Sequence, residues 1–180
     1  DLNIRGRLLT LRPKEYILGM GCKKGKEASA LEAFIRESLK EEGIDVKEVL
    51  TLASIDRKAR EAGLLACAEK LRLDFWTYSG EELQAVEGEF TGSDFVKKQV
   101  GVDNVCERAA LRACEDRMQK EGAGEENPEE KRGDSETKND GSIEKPETKH
   151  TAGRLFRRKR TKEGMTLAIA RREWRISLDE

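Results

Sequence analysis

Short apolar runs alternate with helical spacings along the first 120 residues. Tyr16-Ile17-Leu18-Gly19-Met20-Gly21 is continuous enough for a buried strand and ends among glycines. Ala28, Leu31, Ile35 and Leu39 then share one helical face, with Phe34 beside it, and Gly43 follows as a stop. Residues 49–54 (VLTLAS) predict a second strand, and Leu64, Cys67, Ala68 and Leu71 a second helical face. Residues 74–79 (DFWTYS) predict a third strand. Ser79, with Glu82 three residues on, forms a capping box that opens a short helix. A helical spacing surrounds Phe95, Val96 and Val100, and Asn104 with Glu107 offers a second capping box for a helix reaching about Lys120. Two last strands are expected near 155–159 and 165–171, entered by a turn at Lys162-Glu163-Gly164. Strand–helix alternation predicts an α/β fold with a mainly parallel sheet covered on both faces. The closeness of the last two strands predicts a hairpin, so the sheet is expected to be mixed.

Residues 121–150 break the pattern. They hold ten acidic and five basic residues, no aromatic residue, and only Ala123 and Ile143 as apolar side chains. Such a stretch buries too little apolar surface to offset its ordering entropy, so it reads as a disordered insertion. The expected organisation is a lead-in at 1–15, the main part of one domain at 16–120, a disordered acidic insertion at 121–153, and the last strands of the same domain at 154–180. The chain opens on Asp1, which suggests part of a longer protein.

Charge changes the picture only locally. Lys plus Arg is 35 and Asp plus Glu is 36, a balance unlike that of a nucleic-acid binder. Residues 154–172 nevertheless carry eight basic side chains against Glu163 alone. They read as an edge strand whose charges discourage edge-to-edge pairing. No run of about 18 apolar residues exists, so no membrane partner is expected. The cysteines (Cys22, Cys67, Cys106, Cys114) include no C-x-x-C pair, and His150 is the single histidine. No metal site and no disulfide scaffold are expected, only reduced thiols in a cytoplasmic protein.

In open α/β sheets ligands bind beyond the carboxyl ends of the strands, so the loops there are the candidates. Gly19-Met20-Gly21-Cys22-Lys23-Lys24-Gly25 lets backbone approach an anion. Its glycine spacing departs from G-x-G-x-x-G, and no acid ends the second strand, so a nicotinamide cofactor is not expected. Ser54-Ile55-Asp56-Arg57-Lys58 sets a hydroxyl, a carboxylate and two cations past a buried strand. Asp56 could act as a base or as a helix cap. Glu107 could be an acid or the partner in its capping box. Cys22 is the thiol best placed for activation, by nearby lysines and a helix start.

At these loops the chain resembles a known family. LRPKEYILGMGCKKG, LASIDRKAREAGLL, the YSGEEL run and VKKQVGVDNVCERAAL, followed by GMTLAIAR, resemble in order the C-terminal domain of the cobalamin-biosynthesis protein CbiG, which is related to CobE. The resemblance covers about residues 11–120 and 154–171. It implies a three-layer α/β/α sandwich with a mixed sheet. It places Gly19, Gly21, Cys22, Ser54, Asp56, Lys58, Ser79, Glu82, Gly101, Val102 and Glu107 on family motif positions. Arg60 stands where the family usually has an acid. The implied function is that of cobalt-precorrin-5A hydrolase, which opens the δ-lactone of a corrin precursor and releases acetaldehyde. The alternative is a non-catalytic, CobE-like tetrapyrrole-binding module. The expected catalytic residues are Asp56 and Glu107. Gly19, Gly21, Cys22, Lys23, Ser54, Arg57, Lys58, Ser79 and Glu82 are the expected substrate contacts. Cobalt is expected in the substrate and no cofactor on the protein. The expected partners are the tetrapyrrole and an N-terminal domain of the same protein.

Overall fold

The computed structural model describes residues 2–4, 7–9, 13–91, 104–122 and 153–173. Its strands are β1 (Leu2–Ile4), β2 (Arg7–Leu9), β3 (Tyr16–Cys22), β4 (Val49–Ile55), β5 (Asp74–Tyr78), β6 (Gly153–Lys162) and β7 (Met165–Arg172). Its helices are α1 (Ala28–Glu41), α2 (Ala62–Leu71), α3 (Gly80–Ala85) and α4 (Val105–Gly122). β1 and β2 form an antiparallel pair of their own, and the other five strands form one sheet in the order β5-β4-β3-β7-β6. β3, β4 and β5 are parallel, β7 runs against β3, and β6 runs against β7. Four of the five strands therefore point one way, as a mixed, mainly parallel sheet requires.

Helices cover both faces. Leu18 and Met20 of β3 pack with Leu31, Phe34 and Ile35 of α1 and Leu64 and Cys67 of α2. Ile17 faces the other way, into a core with Leu83 of α3 and Ala109, Ala110 and Ala113 of α4. β3 is apolar at consecutive positions because both of its faces are buried. The fold is the expected three-layer α/β/α sandwich.

Local chemistry sets the element ends. Gly43 ends α1 at φ 70°, with Ile44 N–H reaching back to the Leu39 carbonyl at 2.9 Å. The β6–β7 turn holds Glu163 at φ 48° and Gly164 at φ 76°, the two positive angles that a tight hairpin turn needs. Gly19 lies under α4. A β-carbon there would stand 1.8 Å from the Cys106 carbonyl oxygen, so the glycine permits close helix–sheet packing.

Two boundaries differ from those expected from the sequence. β6 runs over ten residues, Gly153–Lys162, and its register slips twice against β7, which blurs the alternation that marks a strand. The lead-in is tied to the sheet before residue 16: Glu15 N–H donates to Glu48 and its carbonyl accepts from Arg172. The helical spacing around Phe95 and Val100, and residues 123–152 of the acidic segment, lie outside the described residues. Among the described residues no helix is long and apolar enough to cross a membrane.

The basic strand β6 is the sheet edge, and α1 answers its charge. Arg157 pairs with Glu42 at 3.2 Å, Arg160 with Glu37 at 3.1 Å and with Glu41, and Lys162 with Glu37 at 2.6 Å. Those cations are engaged inside the domain.

Candidate functional site

The parallel strands end on one edge of the sheet. There the loop 23–27 follows β3, the segment 56–61 follows β4, and Ser79 follows β5. The β6–β7 turn joins them, because Cys22 at the end of β3 is opposite Met165 at the start of β7. α4 also begins at this edge, with Cys106 and Ala110 over Gly19.

The β3 loop is fastened at two points. Lys23 N–H donates to the Gly164 carbonyl at 2.9 Å, and the Lys23 stem lies over Gly164. Gly25, at φ 75°, donates its N–H to Glu61 Oε1 at 2.8 Å. The other carboxylate oxygen of Glu61 accepts from Lys58 Nζ at 2.9 Å. This pair is largely shielded, with side-chain exposures of 16% for Lys58 and 12% for Glu61. Hydrogen bonds from Lys58 and then Gly25 hold the Glu61 carboxyl below its ordinary value. Lys23, Lys24, Arg57 and Arg60 are exposed and Lys26 is half-buried, so the two loops that the pair joins make a cationic rim.

The expected site residues divide into three groups. Cys22, Lys23, Asp56, Arg57 and Lys58 lie on the strand end and the two loops that make this rim. Asp56 is exposed, and its carboxylate accepts from Arg57 N–H at 2.6 Å within the single turn 56–58. It does not cap α2, whose N-cap is Glu61. The expected activation of Cys22 is corrected. Burial raises its thiol above the ordinary value, outweighing the lowering by Lys58, and Glu61 opposes that lowering.

Ser79 and Glu82 form the second group. They make the expected capping box, with Ser79 N–H on Glu82 at 2.7 Å and Glu82 N–H on Ser79 Oγ at 3.1 Å. The Ser79 backbone hydrogen bond is the main reason the Glu82 carboxyl lies below its ordinary value.

The third group is built into the fold. Ser54 is fully buried and its hydroxyl donates to the Met20 carbonyl at 2.7 Å, tying β4 to β3. Gly19 serves helix packing. A side chain on Gly21 would meet Thr166 Oγ1 at 2.7 Å. Glu107 is fully buried. Its carboxylate accepts from Thr91 N–H at 2.9 Å, Thr91 Oγ1 at 3.0 Å and Lys159 N–H at 2.6 Å. Asn104 Oδ1 accepts from Glu107 N–H at 2.9 Å, so the expected capping box has its forward half, while the Glu107 side chain turns to β6. Gly101 and Val102 lie outside the described residues.

Sequence reasoning missed Glu61. Its only local signal is the three-residue spacing from Lys58; Gly25 lies 36 positions away. The assembled edge can hold an anionic ligand through its cations. It offers an exposed carboxylate, Asp56, beside them. The Lys23 and Gly25 N–H groups, which the glycine loop offered as anion donors, are already used.

The model of the family described as cobalamin synthesis G C-terminus matches residues 16–170. Cobalt-precorrin-5A hydrolase of Priestia megaterium is 38% identical over 100 residues, which is 56% of this chain and 26% of that protein. The enzyme of the same name from Salmonella typhimurium strain LT2 is 32% identical over 100 residues, 56% of this chain and 28% of that protein. The chain thus spans about a quarter of the length of these curated relatives. The crystal structure of CobE, a protein from the cobalamin (vitamin B12) biosynthetic pathway, superposes with a TM-score of 0.65 at 26% identity, over 88% of this chain and 91% of that one. The match across 16–170 takes in every strand of the main sheet, and the chain belongs to the cobalamin synthesis G C-terminus family.

Proposed function

We propose that this domain takes part in cobalamin biosynthesis by holding a cobalt-precorrin at the carboxyl edge of the sheet during opening of its δ-lactone, with release of acetaldehyde. The observation that carries the reading is the cationic rim of Lys23, Lys24, Lys26, Arg57, Lys58 and Arg60, built from two loops of a family member. A corrin precursor is a polycarboxylate, and charge-assisted hydrogen bonds from such cations are the strong ones. Lactone hydrolysis needs a base for the attacking water, a donor for the developing oxyanion, and an acid for the leaving alkoxide. Asp56 is a carboxylate at the rim that can deprotonate water. The oxyanion donor and the acid are roles for the N-terminal domain expected in the same protein.

The burial of Glu107 favours a second reading, a CobE-like module that binds the tetrapyrrole without reacting. Titration with cobalt-precorrin-5A, followed by absorbance and by acetaldehyde release, separates the two. On the first reading, Asp56→Asn in the full-length protein keeps affinity and loses rate. Binding with an unchanged rate in Asp56→Asn leaves the module reading. No saturable binding to wild type sinks both.

A further inference from the structure

The two loops that make the rim carry like charge. Residues 23–27 and 56–61 together hold six cations (Lys23, Lys24, Lys26, Arg57, Lys58, Arg60) against Glu27, Asp56 and Glu61. Two such loops repel, and nothing in the strand pairing of β3 and β4 fixes their tips. Yet they dock closely: a β-carbon on Gly63, in the first turn of α2, would stand 1.9 Å from the Lys26 carbonyl oxygen. Glu61 is at this junction. One oxygen takes Gly25 N–H at 2.8 Å and the other takes Lys58 Nζ at 2.9 Å, so a single carboxylate bridges the loops.

We propose that Glu61 is the positioning residue of the anion site: its carboxylate clamps Gly25 of one loop to Lys58 of the other and so sets the spacing of the cationic rim. This deepens the tetrapyrrole reading and rests on it. Three features carry it. The Glu61–Lys58 pair is the shielded one among exposed charges, so its Coulomb attraction is weakly screened. Gly25 holds a left-handed angle, and a β-carbon added to it would meet no atom within 4 Å. The glycine is there for its backbone angle, which aims the N–H at Glu61. Cys22, at the end of β3, feels both charges of the pair, which makes its thiol a built-in reporter of the clamp.

The sign of the effect separates positioning from bulk charge. Glu61→Gln makes the rim more positive by one charge, which by attraction alone strengthens anion binding. Loss of spacing weakens it, most for a ligand that needs several contacts at once. The test titrates wild type and Glu61→Gln with uroporphyrin I, a rigid tetrapyrrole octacarboxylate, and with citrate, a tricarboxylate without a ring. Clamp loss is read from the Gly25 amide resonance, and the change of charge at the pair from the pH profile of Cys22 alkylation, which shifts to lower pH when Glu61 loses its charge. The expected result is a loss of about 10-fold in affinity for uroporphyrin I and a smaller loss for citrate, with both reporters moved. That corresponds to one charge-assisted contact. Unchanged or tighter binding in Glu61→Gln overturns the proposal. Wild-type binding of citrate without uroporphyrin sinks the tetrapyrrole reading and leaves Glu61 to be judged on citrate. Failure of wild type to bind either ligand sinks both. If Glu61→Gln does not fold, Glu61→Asp, which keeps the charge on a shorter arm, is read from affinity and the Gly25 resonance alone: weaker binding with the resonance moved supports the clamp, and unchanged binding overturns it.

Discussion

Two carboxylates look equally reactive as residues in a loop, Asp56 and Glu107, and the fold gives them opposite situations. Asp56 is exposed beside cations. Glu107 is inside, with donors from Thr91 and Lys159 on both of its oxygens. Asn104 and Lys159 also donate to the Thr91 carbonyl, at 2.9 and 3.1 Å, so Glu107 belongs to a closed network joining α4, β6 and Thr91. Glu107→Gln turns an amide N–H₂ toward groups that are themselves donors. It is expected to cost about 2–4 kcal/mol of stability, the usual range for breaking a buried charged network. Asp56→Asn is expected to stay within about 0.5 kcal/mol. Urea denaturation of both variants checks this, and a Glu107→Gln midpoint equal to wild type would refute the structural role. The contrast also shows what a sequence can tell. The Ser79–Glu82 box is legible because both partners lie three residues apart. The side-chain partners of Glu107 are 16 and 52 residues away, that of Ser54 lies 34 away, and Gly25 lies 36 from Glu61, so local spacing holds no trace of these contacts.

At the scale of elements, strands β3, β4 and β7 are readable because consecutive apolar residues fill a two-sided interior, and the half-buried edge strand β5 is readable from its aromatic residues. β6 is harder. Its sequence GRLFRRKRTK is polar and its outward residues answer to another element, α1, through charge. Arg160 is the centre of that contact. It meets Glu37 and Glu41, donates to Ser38 Oγ at 3.3 Å, and its guanidinium carbon lies 5.6 Å from the Phe34 ring centroid. Arg160→Gln is expected to cost about 1–2 kcal/mol, since a networked and partly buried arginine loses packing as well as charge. Lys162→Gln, at an exposed pair, should have a small effect that vanishes in high salt. Glu37 is held below its ordinary carboxyl value, first by the Lys162 hydrogen bond. A depressed folded value means that this stabilisation is in place at neutral pH and is lost as pH falls through the carboxylate range. Lys162→Gln should therefore flatten the acid limb of the stability profile. An acid limb identical to wild type would show that the pair does not form in solution.

The whole molecule is held by cores on both sheet faces, and its thiols report on them. All four cysteines are free; Cys67, Cys106 and Cys114 are buried and Cys22 is half-buried. Burial pushes the Cys67 thiol up to about 11, and the Cys106 and Cys114 thiols up to about 12, from an ordinary 9.0. Cys67 lies in the core under α1 and α2, while Cys114 packs in the core under α3 and α4. At pH 8 an alkylating reagent should label Cys22 alone in the native protein, and the other three together on unfolding. The stability consequence has a definite sign. Below the ordinary thiol value both folded and unfolded chains keep these protons, so stability is unaffected. Above it the unfolded chain ionises and the folded chain resists, so the unfolded state binds fewer protons and stability falls as pH rises. Each thiol adds a slope of about 1.4 kcal/mol per pH unit until the pH reaches its folded value. The loss should begin near pH 9 and continue through pH 11, steepest while all three thiols resist. Cys67→Ala leaves a cavity and lowers stability at every pH, yet removes one share of that slope, so its curve should approach that of wild type as the solution becomes alkaline. Parallel curves from pH 7 to 11 would show that the buried thiols do not drive the alkaline loss.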